Sequence, residues 1–151
     1  MTPMPLRPLP LLLLAGLLCA GPTHAAEADH VRATGAWIRV LPGNLPAGGY
    51  VTLHNDDDQA ATLQGASSSA YGSVMLHQSS TNTGMGRMRM VDRLRVPAHG
   101  EVALAPGGYH LMLMDAAKPV QPGQTVRVTL QFADGSSLAT DFLAKPANAL
   151  D

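Results

Sequence analysis

Thr125-Val126-Arg127-Val128-Thr129-Leu130-Gln131-Phe132 sets an apolar side chain at every second position and a polar one between. Side chains alternate faces along an extended backbone, so Val126, Val128, Leu130 and Phe132 line one face of a half-buried strand. Ala133-Asp134-Gly135 supplies the turn residues that reverse the chain, and residues 137–143 return as the partner strand of a hairpin. Working outward, further short strands are expected at 33–40, 49–54, 61–64, 73–78, 86–91, 101–104 and 109–115. Turn chemistry separates them, as in Leu41-Pro42-Gly43-Asn44, Asn55-Asp56-Asp57-Asp58 and Ala105-Pro106-Gly107-Gly108. No helical period runs beyond a couple of turns. Many short strands at spacings of roughly 8–12 residues argue for one all-β domain, an antiparallel sandwich or small barrel.

The first residues have a different character. Arg7 and the amino terminus supply positive charge, Leu11 to Ala20 is an apolar run, and small or polar residues follow from Gly21 to Ala28. This is the layout of a secretory signal peptide, and the run is too short for a bilayer core of roughly 30 Å. The expected division is a signal peptide over 1–25, cut after Ala25 or after Ala28, and a β-sandwich domain over 29–146. A lipoprotein signal around Cys19, although Leu18 stands before it where a small residue is wanted, and a plain N-terminal membrane anchor are the alternatives.

Cys19 is the only cysteine, so cleavage leaves none. That excludes thiol catalysis, zinc–thiolate sites and blue copper, which needs a cysteine ligand. A domain of roughly 125 residues can bury an adequate core without disulfides. Ten basic and eleven acidic residues, with no basic cluster, argue against nucleic acid as a partner.

The methionines carry the chemistry. Of eight, Met1 and Met4 precede the signal run, and Met75, Met85, Met88, Met90, Met112 and Met114 fall within one forty-residue window. Methionine used only to fill core gaps would be scattered. Strand alternation puts Met75 and His77 on one face, Met88 and Met90 on one face, and His110, Met112 and Met114 on one face. Thioether sulfur is neutral and soft, and with neutral imidazole it suits Cu(I) far better than Zn(II) or a hard cation.

The spacing His77-X10-Met88-X21-His110-X-Met112 resembles the metal motif of the periplasmic copper chaperone family PCu(A)C. Ala36-Trp37-Ile38-Arg39, Gly48-Gly49-Tyr50-Val51-Thr52-Leu53-His54-Asn55 and Pro106-Gly107-Gly108-Tyr109-His110-Leu111-Met112 are similar to the family as well, so the likeness covers about residues 34–142. The resemblance implies a cupredoxin-like, antiparallel Greek-key β-sandwich in the periplasm. It implies no enzyme activity, but Cu(I) held by His77, Met88, His110 and Met112. Delivery would be to a copper-accepting protein, such as a cytochrome c oxidase subunit or a thiol-bearing assembly factor, with no membrane insertion after signal cleavage.

Two features depart from the family pattern. Gln78 follows the first histidine where many members have methionine, and no His- and Met-rich tail precedes Asp151. Trp37 is expected in the core, and His54 and His99 in structural or surface roles. A histidine-brace copper enzyme would need histidine as first mature residue, which neither cut leaves. A metal-free or copper-tolerance β-sandwich binding module is the remaining alternative.

Overall fold

A computed structural model describes residues 25–81 and 84–151; most of the expected signal peptide, with Cys19, lies outside the described residues. After a single helical turn, α1 (Glu27–His30), the described chain forms ten strands. They are β1 (Val31–Arg39), β2 (Ala47–Asn55), β3 (Ala61–Ser67), β4 (Tyr71–Ser80), β5 (Arg87–Met90), β6 (Leu94–Val96), β7 (Gly100–Leu104), β8 (Tyr109–Ala116), β9 (Thr125–Phe132) and β10 (Ser137–Lys145). The hairpin expected over residues 125–143 is present, with β9 and β10 paired from Thr125↔Leu143 to Gln131↔Ser137. Val128, Leu130 and Phe132 are fully buried, while Arg127 and Gln131 stay exposed.

The strands form one continuous sheet in the order β5-β4-β8-β2-β1-β10-β9-β3-β6, and β7 takes the rest of the β2 edge. The sheet curls until β3 packs on β4 and β6 on β7, so its inner face encloses a single core. Phe132, Phe142, Ile38, Leu53, Leu63, Leu111 and Leu113 meet there with no exposed surface. Burial of such a side chain is worth about 1.5–3 kcal/mol each, and that apolar face is what holds the curl.

Two expectations need correction. The sheet is mixed, because β1 pairs with β10 in parallel at Trp37↔Leu143 and Arg39↔Lys145. Those strands lie a hundred residues apart, so no tight turn forces them to run in opposite directions. Trp37 is buried, but on the outer face of the sheet and apart from the main core. Its ring lies 4.6 Å from that of Tyr50, with the Arg39 guanidinium 5.3 Å and Lys145 Nζ 5.1 Å from the indole centroid. Two cationic heads over an aromatic face remove the indole from water without placing it inside.

The β2–β3 turn depends on one buried polar side chain, Asn55. Its amide donates to the carbonyls of Gln59 at 2.7 Å and Val96 at 3.3 Å, and its oxygen accepts from Asp57 N–H at 3.0 Å. The bond to Val96 ties this turn to the short strand β6. Asn55→Ala removes all three bonds, including the buried one to Val96, so it is expected to cost about 1–3 kcal/mol in urea unfolding. A loss near zero would show that the turn is held by other contacts.

Candidate metal centre

The site is built by two strand pairings. β4 and β8 run antiparallel with His77 opposite His110 and Met75 opposite Met112. β4 also pairs with β5, setting Met90 opposite His77 and Met88 opposite Ser79. Directly opposed residues project from the same face. His77, Met88, His110 and Met112 therefore share one face, together with Met75, Met90 and Met114. The opposite face of the same strands carries Leu76, Leu111 and Leu113 into the core. The three expected donor-bearing segments do converge, on the outer face of β5–β4–β8.

Within that face the imidazoles lie edge to face, 5.8 Å between ring centroids at 84°. His77 Nδ1 is 3.2 Å from the Met88 sulfur. His110 is 5% exposed, and its Nδ1 lies 3.1 Å from the Gly108 carbonyl. A carbonyl only accepts, so the neutral ring carries its proton on Nδ1 and leaves a lone pair on Nε2. That Nε2 is buried and has no hydrogen-bond partner among the described residues. An unsatisfied buried acceptor costs about 1–3 kcal/mol, and a metal ion would satisfy it. The backbone carbonyl on the far nitrogen plays the part that outer partners play for ligating histidines generally, fixing tautomer and ring orientation.

His77 is set up in the same sense. Partial burial, and then the neighbouring His110, push its pKa below the ordinary histidine value, which favours the neutral form that can donate a lone pair. Exposure is graded across the four: His110 is buried, His77 and Met112 are half-buried, and Met88 is 53% exposed. Among the described residues no group of three His, Cys, Asp or Glu side chains is placed to hold a metal ion. Any metal on this face therefore needs the sulfurs, and such a donor set selects a soft ion.

His54 and His99 stand apart. His54 bridges Thr34 Oγ1 at 2.8 Å and Glu101 at 3.0 Å, and His99 pairs with Asp58 at the β6–β7 turn. The Gly108 carbonyl was missed by sequence reasoning because backbone carries no residue signature. The Pro106-Gly107-Gly108 turn before His110 was its one available signal.

The "Putative lipoprotein LpqE-like" family model matches residues 31–143. "Putative lipoprotein Lxx21020" of Leifsonia xyli subsp. xyli (strain CTCB07) is 36% identical over 116 residues, covering 76% of this chain and 69% of that one. Among solved structures, the copper-bound PCuAC domain from PmoF2 superposes with a TM-score of 0.66 at 25% identity, covering 82% of this chain and 98% of that one. The solution structure of CuI-DR1885 from Deinococcus radiodurans does so at 0.60 and 37% identity, over 74% of this chain and 75% of that one. The fold is thus the cupredoxin-like β fold of those domains, and the chain belongs to the LpqE-like family, a lipoprotein family related to the PCuAC domains.

Proposed function

We propose that this protein is a copper chaperone of the cell envelope that binds one Cu(I) through His77, Met88, His110 and Met112 and passes it to a copper-accepting protein. The observation that carries the reading is the buried, partnerless Nε2 of His110 beside the His77–Met88 pair. The copper-bound and CuI structures of its relatives support the same cargo. His110 and His77 hold the ion at its inner side, and the Met88 thioether closes it from solvent. An acceptor displaces the exposed neutral ligand first, so the ion leaves through mixed-ligand intermediates without bare metal. Resemblance to PCu(A)C favours the binuclear copper centre of cytochrome c oxidase as destination, reached directly or through a thiol-bearing factor.

Export is part of the proposal. Glu27 N–H donates to Asp134 at 2.7 Å, and the Glu27 carboxylate accepts from Thr62 N–H at 2.9 Å. Cleavage after Ala25 retains this clasp, whereas cleavage after Ala28 removes it. Mass spectrometry of the processed protein should therefore give Ala26 as first residue. A diacylated Cys19 would show instead that the lipid anchor implied by the family description is present here.

Met112→Leu keeps volume nearly constant and removes the sulfur, so stability should change by less than about 1.5 kcal/mol. Cu(I) affinity should fall by at least the roughly 10–100-fold that loss of an outer partner of a metal ligand costs. Transfer to an apo oxidase copper domain should fail in step. Met114, one pair further along β8 opposite Ser73, should tolerate leucine with affinity unchanged. Equal weakening by both substitutions would refute the assignment.

Protons compete with copper only at the imidazoles. With ordinary histidine near pKa 6.5, apparent Cu(I) affinity should be flat above about pH 7.5. Because the His77 pKa is lowered, its competition sets in below the ordinary histidine range. Where protons compete at two imidazole ligands of one ion, the fall steepens towards about two decades per pH unit. Affinity against a Cu(I) chelator from about pH 5 to 8, corrected for the chelator's own protonation, checks this. A flat profile would mean that the two histidines are not both ligands.

A further inference from the structure

Two methionines of the same face stand beside the four-residue site without belonging to it. Met90 lies directly across from His77 on β5, and Met75 precedes His77 by two positions on β4. The β4–β5 ladder continues one bond past the end of β5, with Val91 N–H donating to the Leu76 carbonyl at 2.8 Å. That bond carries Asp92 level with Met75. Met75, Met90 and Asp92 all line one depression of about 330 Å³ between β3, β4 and the end of β5, with Gln64 on its far side and no cationic side chain in its wall. Diagonal neighbours on adjacent strands lie about 7–8 Å apart, within reach of long side chains.

We infer that Met75 and Met90 form a second, weaker soft-metal site, a loading position for Cu(I) whose positive charge is met by Asp92. The inference rests on the proposed chaperone reading and extends it. Two thioethers and one carboxylate bind a soft monovalent cation, but lack the buried imidazole that anchors the ion at the first site. The order of exposure gives the route a direction. Met90 is 59% exposed, Met75 is half-buried, and Met75 stands directly opposite Met112 on β8. An ion captured at Met90 therefore faces His77 across the β4–β5 pairing and reaches Met112 by way of Met75, and never crosses the apolar core.

The test titrates the protein with Ag(I), a redox-inert soft d10 ion, and follows the methionine ε-methyl groups by NMR. The first equivalent should move the Met88 and Met112 methyls, and a second, weaker one those of Met75 and Met90. The double variant Met75→Leu, Met90→Leu should lose the second event and keep the first, and Asp92→Asn should weaken the second alone. Survival of the second event in the double variant, its appearance at Met85 or Met114, or its absence from the unmodified protein would overturn the proposal. Failure of the chaperone site reads differently: the first equivalent would leave Met88 and Met112 unmoved.

Discussion

Between Tyr71↔Ala116 and Gln78↔Tyr109, β4 and β8 are held in a single register, and the face of histidines and methionines proposed to bind copper exists only in that register. Side chains alternate with a period of two, so a slip of one residue would turn His77 inward and Leu76 outward. What prevents the slip is on the other side of the sheet. Leu76, Leu111 and Leu113 are buried against the shared core, and exposing them would cost several kcal/mol in total. The donor geometry is thus enforced by residues that never touch a metal. The β4–β5 pairing adds Met88 at the outside, on a strand exposed along its length, where local opening costs least.

Strand alternation made much of the fold legible. The β9–β10 hairpin and β8 could be read from residue type alone, because β9 carries a large apolar side chain at every second position into a turn, and in β8 Leu111 and Leu113 alternate with His110, Met112 and Met114. The three-residue β6 could not. It is too short for a period to show and ends at Pro97, and its place is fixed by pairing with β3 and by the Asn55 amide. The parallel β1–β10 pairing was hidden because no local pattern distinguishes it from an antiparallel one. Trp37 misleads for a related reason. A large aromatic residue signals burial but not which face buries it, and here Arg39 and Lys145 cover it from the solvent side.

The site divides in the same way. Which residues share a face within one strand follows from period two, and the sequence spacing of the four proposed ligands matches a known pattern. Which residues stand opposite one another depends on register, a property of two strands at once. The opposition of Met75 to Met112, and of Met90 to His77, therefore became visible only in three dimensions. The tautomer of His110 is set by a carbonyl two residues back, through turn geometry that residue identity only hints at.

The parallel pairing of β1 with β10 has a bearing on the order in which the sheet closes. The sheet's central strand, β1, finds one of its two neighbours only when the last strand has been made. Arg39 on β1 is further tied to the Ala149 carbonyl near the end of the chain. Contacts of such sequence separation form late, because their loop-closure entropy must be met first. A nascent copy lacking β10 cannot complete the sheet, so β1 keeps one open edge until synthesis has passed that strand. An unpaired strand edge is a template for pairing with another chain, so the interval before β10 docks is when this polypeptide is most open to aggregation.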